Sequence, residues 1–400
     1  MANLIVLFSY FIFFFYIYRM FKTNSILLLL PIYYLFTVSY VLTGVFFLNY
    51  AKETPFDLYG RVSELYILKA SLFYILASVS FYAGSSVFKD KHCVQLFFQS
   101  KIKIKHQKSL LILCIVVFFV FIFSYGVEPL IYRDGYISEY HDRNKTGLIL
   151  FYFIAPIAFL FVPFVKRSIV NKVIYIFFFF MLFSSSSRFL VMLPFLYIVG
   201  SYLRDGYFKF SVFFVNMVLI VLGLVFVLQI RYYPQQGLLP NIASLFSKGI
   251  DIDYLFIGLN YAFSFSLMGT AYVIEHLQFD LQGFLIGINP IPSRYLNLSH
   301  MLDVQEMLPT APISAISLLS QFGILAVLFF YLISGVVFSY VISRLKGKTI
   351  LYYAVAGLFI IFMLFSIQYN IRGLTRFLYG SIFIFFMYFI FFKYRFTFRR

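Results

Sequence analysis

The chain has 400 residues, of which 62% are hydrophobic and only 12% are charged, and 32 Lys and Arg against 15 Asp and Glu give a net charge of +17. Long apolar runs in such a composition exclude a soluble globular protein, because many of them approach the ~20 residues with which a helix crosses a bilayer. Two cysteines, Cys93 and Cys114, cannot build a disulfide framework or a metal cluster.

The apolar runs predict a polytopic membrane protein made of helices, since hydrocarbon leaves the backbone no other hydrogen-bond partners. The first run has no basic residue before it, so we expect a retained helix with its N-terminus outside. We expect one transmembrane domain over 1–400 with about eleven spans, at 3–18, 25–48, 65–88, 109–127, 148–165, 173–187, 189–203, 210–230, 313–341, 350–369 and 377–392.

The connecting segments differ in charge between the two faces. Those on the inner side carry 20 of the 32 Lys and Arg but only two acidic residues, Asp90 and Asp205. Basic short loops mark the cytoplasmic side, so this bias predicts the orientation and accounts for the net charge. The basic run KIKIKHQK (101–108) then indicates an inner-leaflet contact with membrane lipids, and we expect no nucleic-acid partner.

Residues 184–193, SSSSRFLVML, place an arginine between two very apolar stretches. Fifteen residues separate Arg188 from Lys172 and from Arg204, so each flanking helix is roughly 22 Å long. The hydrocarbon core is ~30 Å thick, and Arg188 should therefore lie below the outer surface. It is either a functional cation in a hydrated crevice or an arginine whose long side chain reaches the water.

Residues 231–312 form one long outer loop in this topology, expected to carry short helices. Long loops are often functional. Within it, residues 254–274 are long enough to span, but acidic residues flank both ends, and we favour an interfacial or re-entrant element. The motif DID (251–253) resembles the metal-binding pair of nucleotide-sugar transferases but lies on the outer face, where such donors are absent, so no metal site is expected.

Four further arginines lie at or near helix ends on the outer side: Arg231, Arg294, Arg372 and Arg376. Arginine offers a planar set of donors that matches phosphate oxygens and stays charged when partly buried. Together with Arg188 they predict a site for an anion such as a lipid-linked phosphate or pyrophosphate. For any single arginine, a salt bridge to an outer carboxylate is an equally good interpretation.

Three titratable residues follow in the outer loop at spacings of three, His300, Asp303 and Glu306. On a helix they would share one face. Such a set could supply a general base for a hydroxyl nucleophile. The alternative is that they are ordinary polar loop residues.

Four stretches in the second half of the chain resemble the bacterial oligosaccharide repeat-unit polymerases, a family that includes the O-antigen polymerases. The similarity lies in their sequences, their order and their expected positions relative to the membrane. The stretches are SSSSRFLVMLP, GFLIGINPIPSRYL, PTAPISAISLLSQFGILAVLFFYL and NIRGLTRF. One departure is that family members often carry glycine beside the first arginine, whereas this chain has serines.

The resemblance implies a glycosyltransferase in the bacterial inner membrane whose active site faces the periplasm, with 231–312 as a periplasmic loop. It implies transfer of the growing glycan from undecaprenyl pyrophosphate to a new lipid-linked repeat unit, without metal or cofactor. The arginines would hold the pyrophosphate. The partners implied are the lipid-linked oligosaccharide and membrane lipids, and the resemblance also admits a chain-length regulator protein.

Three other functions compete with this one. An O-antigen ligase would use the same donor and a different acceptor. A flippase or exporter of lipid-linked oligosaccharide should carry charge deep in many helices, whereas here the charges concentrate at outer helix ends. A structural scaffold would not need recessed arginines.

Overall fold

The computed structural model describes most of the chain, namely residues 2–23, 25–54, 57–88, 107–135, 144–166, 168–205, 209–231, 233–251, 253–291, 295–297, 299–300, 306–308, 311–345 and 349–390. This part is predominantly helical, and it contains eight helices long and apolar enough to cross a membrane. The prediction of an all-α polytopic membrane protein is confirmed at this level.

The helices are α1 Ala2–Thr23, α2 Leu29–Phe46, α3 Glu64–Ser86, α4 Gln107–Tyr125, α5 Glu128–Ile131, α6 Lys145–Phe161, α7 Ser168–Ser184, α8 Met192–Asp205, α9 Phe210–Arg231, α10 Leu238–Lys248, α11 Asp253–Leu259, α12 Phe265–His276, α13 Leu281–Ile288, α14 Ala315–Gln321, α15 Gly323–Arg344, α16 Thr349–Phe365 and α17 Ile371–Tyr388. Four short strands form two antiparallel ribbons: β1 Arg133–Asp134 with β2 Gln235–Gln236, and β3 Glu306–Leu308 with β4 Ala311–Pro312.

The number of spans differs from the expected eleven. Seven of the eight long apolar helices fall on predicted spans, whereas the predicted spans at 173–187, 189–203, 350–369 and 377–392 fall on shorter or less apolar helices. The eighth is Asp253–His276, and its length and composition suit a span. Its interfacial placement stays a prediction.

The helical segment Asp253–His276 contains one wide π-helical turn, Asn260–Ser264, between α11 and α12. Asn260 is buried there, where its Oδ1 accepts a hydrogen bond from the Tyr40 hydroxyl (2.8 Å) and its Nδ2 donates to the Tyr50 carbonyl (2.6 Å). These bonds satisfy the asparagine, which explains how a polar residue is accommodated inside an apolar helix.

The predicted span 313–341 is two helices and not one. Ser314 begins α14 by accepting a hydrogen bond from the Ser317 amide, and α14 ends at Gln321. Gly323 has a φ of +84°, a left-handed conformation that interrupts a helix and that glycine adopts without steric cost. The chain therefore changes direction before α15 begins.

The chain forms two compact units, residues 1–96 with 259–400, and residues 97–258. In the first unit α3 and α15 approach so closely that only glycine fits at the crossing. A Cβ on Gly84 would lie 2.1 Å from the Leu332 carbonyl oxygen, and one on Gly335 would lie 2.4 Å from that of Phe81. Small residues allow such close packing in membranes, where the hydrophobic effect does not drive helices together.

The second unit packs α4, α6, α7, α8 and α9 around a core rich in buried phenylalanine. Phe121 of α4 contacts Phe151 of α6 (centroids 5.0 Å apart), and Phe159 of α6 contacts Phe178 of α7 (5.2 Å). Edge-to-face and tilted ring pairs of this kind stabilise a core beyond their buried area. This core supports the turn that follows α7.

Candidate functional site

The four serines of SSSSRF end α7 and begin the next helix. The hydroxyls of Ser184 and Ser185 donate to the carbonyls of Met181 and Leu182 (both 2.7 Å), and Ser187 accepts from the Phe189 amide (3.2 Å). Serine hydroxyls compete for backbone partners in this way, so they favour helix ends. The expected turn between two helices is therefore present, with Arg188 as the first residue of a 3-10 helix over Arg188–Val191 that leads into α8.

Ser186 has a φ of +53°, in the left-handed region that few residues other than glycine occupy. The resemblance implied a glycine beside Arg188, and this chain has a serine in a conformation that favours glycine. The Ser186 hydroxyl accepts hydrogen bonds from Arg133 Nη2 (3.0 Å) and Asn241 Nδ2 (3.2 Å). Hydrogen bonding thus offsets the backbone strain of this position.

Arg133 fixes the turn from the opposite side. Its side chain is 2% exposed, and its Nη1 donates to the carbonyls of Pro129 (2.9 Å) and Ser184 (2.8 Å). Its Nη2 donates to Ser186 Oγ (3.0 Å) and to Gln236 Oε1 (3.1 Å). The β1–β2 ribbon places it there, because Arg133 pairs directly with Gln236 in the two-stranded ladder.

Asn241 of α10 completes this group, which we name the serine-turn cluster: Arg133, Ser184, Ser186, Gln236 and Asn241. Asn241 is 1% exposed, and its Nδ2 donates to the Phe183 carbonyl (2.9 Å) as well as to Ser186. The four described hydrogen bonds of Arg133 go to neutral oxygens. The turn preceding Arg188 is therefore hydrogen bonded from two sides and lies beside a buried arginine.

The first unit holds a second group of predicted residues around the short helix α13. Asp280 begins α13 by accepting from the Gly283 amide (2.9 Å), and His300 Nε2 lies 2.9 Å from Asp280 Oδ1. The carboxylate is mostly buried and the imidazole is partly exposed. A carboxylate that accepts from one ring nitrogen fixes the orientation of the imidazole and leaves the other nitrogen able to take a proton.

Arg372, in the first turn of α17, holds the other end of α13. Its Nη1 donates to the carbonyls of Ile286 (2.7 Å) and Asn289 (3.2 Å), and its Nη2 donates to that of Ile291 (2.6 Å). These bonds go to carbonyls at and after a helix end, where partners within the helix run out; the Ile286 carbonyl also accepts from the Asn289 amide (3.4 Å). Burial, with a smaller effect from the guanidinium of Arg376, lowers the pKa of Arg372.

The five arginines predicted to bind pyrophosphate fall in different units. Arg188 and Arg231 belong to the second unit, where the structure describes their backbones in a 3-10 helix and at the end of α9. Arg372 and the exposed Arg376 belong to the first, and Arg294 lies outside the described residues. A common anion site for all five stays a prediction, and the described donors of Arg372 are directed at main-chain carbonyls.

The three candidates for a general base do not share a helix face as the spacing suggested. Glu306 begins strand β3, so helical periodicity does not extend to it. Asp303 lies outside the described residues, and His300 is paired with Asp280. Among the described residues, no group of three or more His, Cys, Asp or Glu is placed to hold a metal ion.

Sequence reasoning missed Asp280 and three residues of the serine-turn cluster, Arg133, Gln236 and Asn241. The motif DLQG (280–283) carried a signal for Asp280, because aspartate three residues before a helical glycine suits an N-cap. Arg133 had no local signal, since its described partners other than Pro129 lie about 50 and 100 residues further along the chain. Comparison of the chain with known protein families, with curated proteins and with solved structures gives no match.

Proposed function

We propose that this protein is a membrane glycosyltransferase that polymerises lipid-linked oligosaccharide repeat units at the periplasmic face of the bacterial inner membrane. The donor is the growing glycan on undecaprenyl pyrophosphate, and the acceptor is a hydroxyl of a new lipid-linked repeat unit. The reaction needs no metal or cofactor in this proposal. The product is a longer surface polysaccharide such as an O-antigen.

The observation that carries the proposal is the serine-turn cluster in front of Arg188. The apolar helix α7 has 17 residues and is ~25 Å long, which is less than the ~30 Å of a hydrocarbon core. Lys172 and Arg204, the basic residues at the far ends of the α7–α8 pair, lie at the inner surface in the proposed topology. Because both helices are shorter than the hydrocarbon core, the turn between them then lies below the outer surface. A hydrogen-bonded turn beside a buried arginine, followed by a second arginine, suits an anionic group that approaches from the outer leaflet.

The chemistry assigned to this turn is stabilisation of the leaving group. The acceptor hydroxyl oxygen forms a bond to the anomeric carbon of the donor sugar, and the bond from that carbon to the pyrophosphate oxygen breaks with its electron pair. Undecaprenyl pyrophosphate leaves with additional negative charge. Preorganised cations lower the energy of that charge in the transition state, and this is the role we assign to Arg188.

The hydroxyl proton also needs an acceptor, and among the residues of the first unit His300 is the candidate for such a base. The contact of its Nε2 with Asp280 supports this role, because it leaves Nδ1 as the nitrogen that accepts the proton. The role of Arg188 rests on the second unit of the structure, and that of His300 rests on the first.

The function is tested by the surface glycan of a strain that lacks this protein. Loss of polymerase activity leaves a single repeat unit attached to the acceptor. Complete loss of attached glycan, with lipid-linked polymer accumulating, would instead indicate a ligase. Unchanged long-chain glycan would contradict both functions.

The role of Arg188 is tested in the same strain by complementation. Arg188→Lys keeps the charge but loses the planar pair of donors, so we expect shorter glycan chains at matched membrane levels. A hydrogen bond to a charged group contributes about 1.5–3 kcal/mol, so its loss slows turnover roughly ten- to a hundred-fold. Arg344→Lys, at an exposed helix end, is the matched control and keeps wild-type chain length. Wild-type chain length in Arg188→Lys would contradict the assignment.

A further inference from the structure

The short helix α10 has an apolar face that points away from the protein. Leu239 and Phe246 are 61% and 85% exposed, and the exposed Ala243 lies between them. The three positions are separated by four and then three residues, so they form a single stripe along one face of the helix.

The opposite face of α10 packs on the second unit. Asn241 on that face is buried and hydrogen bonded, and Leu238, Ile242 and Leu245 pack against the core. A helix at a water-covered surface carries its polar residues outward. In α10 the most exposed position is a phenylalanine and another exposed position is a leucine, so its outward face is not polar along its length as that of a helix facing water would be.

The exposed side chains of the neighbouring helix α7 indicate that lipid covers the apolar face of α10. α10 packs on α7, and the outward side chains of α7 are themselves apolar and exposed, as at Ile176, Phe177 and Phe180. In a membrane-spanning helix such side chains face lipid. The stripe on α10 therefore belongs to a helix that packs on a neighbour whose own exposed side chains are apolar.

The ends of α10 fit a position at the boundary between lipid and water. The exposed Lys248 ends the helix, and its Nζ lies 4.0 Å from the centre of the Tyr233 ring. Lysine and tyrosine are favoured at the headgroup level, where a charged or polar tip meets water while the stem stays in an apolar layer. With 11 residues the helix is ~16 Å long, too short to cross a bilayer.

We infer that α10 is embedded in the membrane, with Leu239, Ala243 and Phe246 in contact with lipid acyl chains and Lys248 at the headgroups. This segment then belongs to the membrane and is not part of an aqueous loop. Because Asn241 bonds to the serine turn from the other face of α10, the helix separates that turn from lipid. The inference is independent of the enzymatic activity proposed above.

The absence of tryptophan from the chain makes a direct test simple. Phe246→Trp gives a single tryptophan in the full-length protein, excited at a wavelength where its 34 tyrosines do not absorb. The protein is reconstituted into vesicles with and without brominated acyl chains and titrated with iodide. Phe214→Trp on α9, which is 56% exposed on a spanning helix, is the lipid control, and Gln235→Trp on the exposed side of the β1–β2 ribbon is the water control.

We expect brominated lipid to remove the same fraction of emission from the Phe246→Trp protein as from the Phe214→Trp protein, while iodide quenches only the Gln235→Trp protein. Emission at position 246 that iodide quenches and brominated lipid does not would overturn the inference. So would insensitivity to both quenchers, which would show that protein, such as a second copy of the chain, covers the stripe. Leu239→Trp, on the same stripe, repeats the measurement if Phe246→Trp does not fold.

Discussion

Replacing Arg133 by methionine tests whether the serine-turn cluster holds the second unit together. Methionine fills a similar volume but donates no hydrogen bond, so the four described oxygens lose this donor. Ser186 Oγ keeps its bond from Asn241, whereas the Ser184 carbonyl and Gln236 Oε1 lose a buried donor. We expect Arg133→Met to destabilise the protein strongly.

The size of the effect follows from these contacts. A buried acceptor left without its donor costs about 1–3 kcal/mol, and removal of the buried charge offsets part of the sum. We expect a net loss of about 3–5 kcal/mol, within the range for breaking a buried charged network. At about 2–4 °C per kcal/mol for a domain of this size, the melting temperature falls by roughly 10 °C.

The assay is the fraction of detergent-solubilised protein that stays monodisperse on size exclusion after heating across a temperature series. Arg344→Met is the control, because it removes an exposed arginine and should change stability little. Equal melting temperatures for Arg133→Met and the wild type would refute the reasoning, since they would mean that the guanidinium exchanges its protein partners for water at no cost.

Two further predictions concern the turn and the predicted inner surface. Ser186→Ala loses two accepted hydrogen bonds and keeps a Cβ at a φ of +53°, whereas Ser186→Gly loses the same bonds but relieves about 1–2 kcal/mol of left-handed strain. The Ser186→Gly protein should therefore have a higher melting temperature than the Ser186→Ala protein in the same assay. Equal melting temperatures would contradict the conclusion that the backbone of Ser186 is strained. Hydrogen bonds from Arg204 lower the pKa of the Asp205 carboxyl below its ordinary 3.8, with a contribution from Lys209. A lowered folded-state pKa stabilises fully above the unfolded pKa, and the stabilisation is lost as the pH falls through the folded pKa. Asp205→Asn should therefore be less stable than the wild type near neutral pH, by under about 1 kcal/mol at this partly exposed site, and the difference should vanish in acid. A difference that persists unchanged at acid pH would contradict this origin.

The membrane helices were predictable because a segment that faces lipid must be composed mainly of apolar residues. A segment that must satisfy its backbone internally and bury its side chains in hydrocarbon becomes a long apolar run, and α3 and α9 lie where such runs occur. The break inside 313–341 was not predictable in this way. Gly323 and the capping Ser314 interrupt an apolar run without changing its hydropathy, so only the local backbone geometry reveals them.

The candidate site was predictable where its partners are close in sequence. The serines before Arg188 indicated a turn because hydroxyls bond to backbone groups within the same few residues. Arg133 reaches the turn because the two-residue strand β1 pairs with β2, about 100 residues later in the chain. Asn241 reaches it because α10, about 55 residues later, packs on the end of α7. Contacts between distant segments leave no periodic pattern, and a sequence alone does not reveal them.

Two buried arginines show why the arginine set could not be assigned from sequence. Arg133 and Arg372 lie in different units, and each directs two bonds from a single Nη1 to main-chain carbonyls near a helix end. Carbonyls at helix ends often lack a partner within the helix, and a protein surrounded by lipid has little water to satisfy them. The planar donor set that matches a pyrophosphate matches a pair of carbonyls equally well.

For Arg372 to bind a phosphate, its guanidinium would have to leave three carbonyls at the end of α13. The described hydrogen bonds that hold the turn beside Arg133, in contrast, do not involve the Arg188 side chain. The proposal therefore depends on Arg188, and Arg133 supports it by fixing the turn from which Arg188 extends.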